Sequence, residues 1–155
     1  MNNQSDVLLT KEGLEELKKE YDVLVSDKRA EAVKRIAAAR EQGDLSENSE
    51  YAAAREDLSF IDGRIQELEE ILHKAKLISS KHSKIVVDVG CKVELHSNGK
   101  RDMYTIVGEW EANPKEKKIS HSSPLGKALL GKKVGEEIEV EAPVGKLKYK
   151  IVSIE

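Results

Sequence analysis

The stretch "EQGDLSENSEY", residues 41–51, collects Glu41, Asp44, Glu47 and Glu50 into one short span. Asp44 and Glu47 are three positions apart, so on a helical turn their carboxylates are neighbours and could share a hard cation such as Mg²⁺. Magnesium is usually held by one or two protein carboxylates, with water and phosphate oxygens completing its octahedron. Such a pair would bind the ion weakly alone. It would act when inserted into another site that supplies more ligands, for instance to help activate a water for attack on a phosphodiester. The same spacing has a purely structural reading. Asp44-Leu45-Ser46-Glu47 has the form of a capping box, in which Asp44 caps a helix and Glu47 reaches back to its backbone N–H, and Gly43 is a good helix terminator.

The elements around this stretch must position it. From Tyr51 onward the apolar residues run Tyr51, Ala54, Leu58, Ile61, Ile65, Leu68, Leu72 and Ala75, an alternation of three and four steps that predicts a coiled-coil seam. The preceding arm repeats it through Leu14, Leu17, Tyr21, Leu24, Val25, Ala32, Ile36 and Ala39, with a drift around Lys28. Thr10 is placed to cap that arm. Two such arms meeting at Gly43 form an antiparallel helical hairpin, each arm about thirty residues and roughly 45 Å long. Residues 43–50 are then its tip. Behind the tip lie Arg40 and Arg55 on facing arms, with Lys28, Arg29, Lys34 and Arg35 further down the first. This basic track suits RNA phosphates, or ordinary pairing with Glu31, Glu41, Glu56 and Asp57.

After "ISSKHSK" (78–84), which reads as a hinge, the period changes to alternation. "KIVVDV", "CKVELH", "DMYTIVG", "EIEVEA" and "KLKYKIVSI" are strand candidates, separated by turn signals at Asn98-Gly99, Asn113-Pro114 and Pro143-Val144-Gly145. Ser123 as a cap, Pro124 at the first helical position and Gly131 beyond the end predict one short helix. The chain therefore reads as α+β: a coiled-coil hairpin over 1–77, a linker over 78–84, and a small antiparallel-sheet domain over 85–155. Residues 1–80 carry 12 basic and 18 acidic side chains, net −6, whereas 81–155 carry 14 and 11, net +3. This asymmetry suggests different partners for the two halves. A lone cysteine, Cys91, lies in an alternating apolar stretch and reads as a buried structural thiol. His73, His82, His96 and His121 show no metal-ligand spacing. The absence of a signal-like N-terminus or a long apolar run predicts a cytoplasmic protein with no membrane contact.

Read whole, "AAAREQGDLSENSEYAAAREDLSFIDGRIQELEEIL" and "YTIVGEWEANPKEKKISHSSPLGKALLGKKVGEEIEV" resemble the bacterial Gre transcript cleavage factors over nearly the whole chain. The resemblance implies a C-terminal domain of FKBP-like fold that docks on bacterial RNA polymerase. It implies a coiled coil threaded through the secondary channel to a backtracked complex. There the tip pair, Asp44 and Glu47, would share Mg²⁺ with the polymerase, which cleaves the 3′ end of its own nascent RNA. By the same resemblance, Leu45, Asn48 and Glu50 belong to the tip. Arg40 and Arg55, with Lys34 and Arg35, form the RNA-contacting patch, and Ser123 and Pro124 lie in the docking segment. No stably bound cofactor, an accessory rather than enzymatic role, and a monomer are expected. The "SNGKRD" turn (97–102) is more basic than the acidic turn often found in such factors.

Four other readings compete. A Gre-like regulator could block the channel without promoting cleavage, although such relatives carry a more acidic tip cluster than "GDLSEN". An autonomous nuclease would need more ligands than one pair. A prolyl isomerase would need an aromatic pocket, and the C-terminal half offers only Tyr104, Trp110 and Tyr149. In a plain coiled-coil adaptor the tip carboxylates would be helix caps and nothing more.

Overall fold

The computed structural model describes residues 6–44, 47–79, 81 and 83–155. Leu45 of the tip motif and residues 80 and 82 of the expected hinge lie outside them. The chain divides into two compact units, Leu14–Lys74 and a second made of Met1–Gly13 with Ala75–Glu155.

The helical unit is the predicted hairpin. Its first arm runs through α1 (Lys11–Val23), a π-helical turn (Leu24–Lys28) and α2 (Arg29–Glu41), and its second is α3 (Ser49–Lys74). Thr10 caps the first arm as expected, its Oγ1 accepting the Gly13 N–H at 3.1 Å. The π-turn explains the drift of the seam. An i→i+5 turn holds one residue more than an α-turn and rotates the rest of the arm by about 100°. Val25 is thereby left 42% exposed, outside the seam, while Ala32 and Ala39 further on are buried. Ser26 Oγ donates to the Asp22 carbonyl at this irregularity.

On α3, Ala54, Leu68 and Ile71 are buried, and Tyr51, Leu58, Ile61, Ile65 and Leu72 are half-buried. Toward the tip the buried seam is alanine, Ala32, Ala39 and Ala54, whereas away from it stand Leu17, Leu68 and Ile71. An alanine methyl removes far less apolar surface from water than a leucine, whose burial contributes about 1.5–3 kcal/mol. Polar links therefore matter more toward the tip, where Arg35 of the first arm pairs with Glu50 and Asp57 of the second; others join the arms further from it. Arg64 grips Glu20 with a two-pronged bond (Nε–Oε1 2.7 Å, Nη2–Oε2 3.0 Å), Tyr21 donates to Glu69 at 2.9 Å, and Arg29 donates to Asp62 at 2.8 Å.

In the other unit, β1 (Val7–Leu9) and β2 (Ala75–Leu77) form a parallel pair. Ala75, read as the last seam residue, is thus in a strand, because α3 ends at Lys74 and the two short segments flanking the hairpin pair with each other. Leu9 is fully buried. The main sheet comprises β3 (Lys92–Ser97), β4 (Lys100–Val107), β5 (Lys118–Ser120), β6 (Glu137–Ala142) and β7 (Gly145–Ile154), in the order β5-β4-β3-β7-β6. All its pairings are antiparallel except β4 with β5. Asn98 (φ 50°) and Gly99 (φ 77°) make the β3–β4 turn, as their types predict. Val87, Cys91, Val93, Leu95, Ile106, Ile138, Val140, Ile151 and Ile154 form the core with Leu129 of α4 (Pro124–Leu129). Burial pushes the Cys91 thiol up, which suits an inert core residue.

One predicted strand is absent. "KIVVDV" makes only an isolated bridge, Val86 to Lys133, because Val87 bonds the 131–132 backbone on both sides: its N–H donates to the Lys132 carbonyl and its carbonyl accepts from Gly131.

Gly108 joins β1 to the sheet unit by close approach. A Cβ there would lie 1.8 Å from the Leu8 carbonyl oxygen. Three residues further, Glu111 accepts the Thr10 N–H at 2.7 Å and also the Thr10 hydroxyl. Gly108→Ala should therefore cost about 2 kcal/mol or more through overpacking against backbone. Amide hydrogen exchange checks this: the Ile78 N–H, bonded to the Leu9 carbonyl at 2.8 Å, should lose protection while the β3–β7 ladder keeps it.

Candidate functional site at the hairpin tip

The tip begins where α2 ends. Gln42 is its C-cap, with its N–H on the Ala39 carbonyl at 3.2 Å, and Gly43 follows at φ 116°, a conformation that side-chain-bearing residues rarely adopt. Asp44 and Glu47 are both exposed. The capping-box expectation, Asp44-Leu45-Ser46-Glu47, runs through Leu45 and Ser46, outside the described residues. α3 starts at Ser49, and its cap is Asn48, whose Oδ1 accepts the Tyr51 N–H at 3.1 Å. The Asn48 Nδ2 donates across the turn to the Ala39 carbonyl at 2.7 Å. The first turn of α3 is thus capped by an amide, that of Asn48.

Glu50 is not a third member of the acidic group. Its Oε1 takes Arg35 Nη2 at 2.9 Å and Nε at 3.3 Å, while Arg35 Nη1 donates to Asp57 at 2.6 Å. Glu50 first, then Asp57, raises the Arg35 pKa and keeps the guanidinium charged. Among the described residues no three His, Cys, Asp or Glu side chains gather as a metal site. The tip's own offer is two carboxylates.

The structure divides the predicted basic track. Arg35 is committed to cross-arm pairing, on the side of the hairpin where Lys28, Glu31, Asp57 and Phe60 line a shallow groove. Arg40 and Arg55 converge in a second groove of about 580 Å³, with Tyr51, Leu58 and Asp62. Their guanidinium carbons lie 5.8 and 5.7 Å from the Tyr51 ring centroid, within cation–π range. Lys34 is exposed on α2. Tyr51 is the residue that sequence reasoning assigned only to the seam. Its signal was the i,i+4 spacing to Arg55 on the helix that Asn48 caps.

In the sheet unit, Ser123 and Pro124 form the start of α4 as predicted. Ser123 Oγ accepts the Gly126 N–H at 3.0 Å and donates to the Ser120 carbonyl at 2.6 Å, and Pro124 occupies the first turn. Pro124 is exposed.

Known proteins resemble this chain in sequence. The family described as "Transcription elongation factor, N-terminal" matches residues 7–77, and "Transcription elongation factor, GreA/GreB, C-term" matches residues 82–155. The chain therefore belongs to the GreA/GreB family of transcription elongation factors. Within it the resemblance is to GreA. The chain is 50% identical over 151 residues to transcription elongation factor GreA of Caldanaerobacter subterraneus, covering 96% of each. It is 46% identical over 148 residues to that of Bacillus subtilis, covering 94% of each. The crystal structure of GreA factor homolog 1 of Thermus thermophilus aligns with 97% of this chain and 99% of its own, at 34% identity and a TM-score of 0.46, too low to bear on the fold. Among the described residues no helix is long and apolar enough to cross a membrane.

The two arginines hold the Tyr51 phenol below its ordinary pKa. Arg40, through its hydrogen bond and then its charge, lowers the phenol pKa, with a smaller push from Arg55. A phenol lowered in the folded state gains stability only above its ordinary titration near pH 10, so nothing changes at neutrality. Arg40→Ala should shift the Tyr51 titration to higher pH. The difference between alkaline absorbance titrations of each protein and its Tyr51→Phe derivative isolates this one phenol.

Proposed function

We propose that this chain acts on bacterial RNA polymerase as a transcript cleavage factor, with no hydrolytic activity of its own. In this reading the α4 region, including Ser123 and Pro124, docks on the polymerase, and the hairpin enters the secondary channel until Asp44 and Glu47 reach the catalytic centre of a backtracked complex. The observation that supports it is the exposure of Asp44 and Glu47 at the turn between the two arms.

The donor set fits a shared Mg²⁺. Two carboxylates are the usual protein contribution, and the rest of the octahedron would come from the polymerase, water and phosphate. Bound there, the ion would supply charge stabilisation and a more acidic water for phosphodiester hydrolysis. Asp44 and Glu47 would hold it and orient the attacking water. In the hydrolysis a water oxygen bonds to phosphorus, the bond from phosphorus to the O3′ of the preceding nucleotide breaks, and that oxygen is left as the new 3′ hydroxyl. Arg40 and Arg55 face the displaced 3′ segment with cationic charge, whereas Arg35 contributes little because Glu50 and Asp57 neutralise it.

In a purified, backtracked bacterial RNA polymerase complex, Asp44→Asn should keep wild-type affinity and lower factor-stimulated release of short 3′ fragments about 100-fold, the scale of losing one preorganised charged contact. The factor without polymerase should leave RNA intact. Equal cleavage by wild type and variant would reject the metal-holding pair. Binding without cleavage by either protein would favour a channel-blocking regulator.

A further inference from the structure

We infer that Asn48 positions the acidic pair by closing the tip from both sides with a single side chain, an inference that rests on the metal-holding role proposed above for Asp44 and Glu47. Its Nδ2 donates to the Ala39 carbonyl at 2.7 Å, in the last turn of α2, and its Oδ1 accepts the Tyr51 N–H at 3.1 Å, in the first turn of α3. The Asn48 carbonyl also accepts the Ala52 N–H at 3.1 Å. The orientation of the amide is set by these partners, since only this one matches donor to carbonyl and acceptor to N–H.

Every helix end leaves backbone groups without intrahelical partners. In this turn one half-buried amide serves both ends, adding a second donor to the Ala39 carbonyl that already accepts the Gln42 N–H, and capping the Tyr51 N–H. Ala39 and Asn48 are joined across the residues that include Asp44 and Glu47, and Glu47 is bonded directly to Asn48 in the chain. Capping alone does not require an amide, because serine or aspartate caps a helix about as well. The donor to Ala39 does require it. Aspartate offers no donor, and the serine hydroxyl is too short to span both partners. Exposed carboxylates otherwise have to be ordered as the metal binds, and a turn already closed lowers that cost. Asn48 is thus a positioning residue: it acts through the turn and touches neither metal nor RNA in this proposal.

The test uses the full-length protein with a backtracked bacterial RNA polymerase complex, comparing wild type, Asn48→Ser, Asn48→Asp and Asp44→Asn. Cleavage rate is measured against Mg²⁺ concentration and against factor concentration, with helix content tracked by circular dichroism. Asn48→Ser and Asn48→Asp both keep a cap. Each should cleave about 10-fold or more slowly, the usual scale for losing a group that orients a ligand, and each should need more Mg²⁺ for half-maximal rate. The factor concentration at half-effect and the helix content should stay at wild-type values. Wild-type rate and Mg²⁺ dependence in both variants, beside an inactive Asp44→Asn, would reduce Asn48 to a cap. A loss explained entirely by weaker polymerase binding or lower helix content would overturn the inference equally. If Asp44→Asn cleaves like wild type, the metal-holding reading itself fails and takes this one with it.

Discussion

A turn can present carboxylates to a metal only if other groups hold the turn. Each helix end needs partners for its unsatisfied N–H or C=O groups, and acidic side chains are among the best available at an N-terminus. In this hairpin an amide meets part of that need, and an ion-pair cluster fastens the two arms beside it. Asn48 bonds both Ala39 and Tyr51, and Arg35 on the first arm fastens Glu50 and Asp57 on the second. Such links have to carry the end of the hairpin, because the seam there is alanine. Single exposed ion pairs contribute roughly 0–1 kcal/mol in water. A guanidinium that bridges two carboxylates on the opposite arm adds geometric restraint to that energy.

The charge pattern reflects the same allocation. Of the acidic residues collected between Glu41 and Glu50, Glu50 is neutralised by Arg35, and the exposed Asp44 and Glu47 bracket the turn. Immediately behind, Arg40 and Arg55 are turned onto the Tyr51 ring. An aromatic face holds a guanidinium without cancelling its charge, as a carboxylate would. Two grooves thus run along one hairpin, one with its guanidinium paired to carboxylates and one with its guanidiniums directed at an aromatic ring.

Much of this was legible in the residues. The three-and-four alternation in α3 and the turn types at Asn98-Gly99 and Ser123-Pro124 specify their elements locally, so both helical arms and most of the sheet could be read directly. The misreadings have physical causes. Asn48 was read only as part of the tip, yet it caps α3 and also carries a donor, and only the opposite arm makes that donor count. The partners of Arg35 and the ring beneath Arg40 are on the other arm as well, where linear spacing carries no information. β1 and β2 are three residues each, too short for any periodicity to register, and their pairing depends on where α1 begins and α3 ends. "KIVVDV" has strand composition, but Val87 finds its backbone partners in a loop. The π-turn showed itself only as a drift in the seam.

The most direct test of the proposed role asks whether the tip stands beside the catalytic metal. Fe²⁺ substituted for Mg²⁺ in a backtracked polymerase complex is oxidised by added hydrogen peroxide to Fe³⁺, releasing hydroxide and a hydroxyl radical that cuts polypeptide close to the ion. The account predicts cuts in this chain confined to the 43–48 segment, present with wild type, weakened by Asp44→Asn, and absent from the free protein. Cuts elsewhere in the chain, or none at the tip while the factor is bound and active, would contradict it.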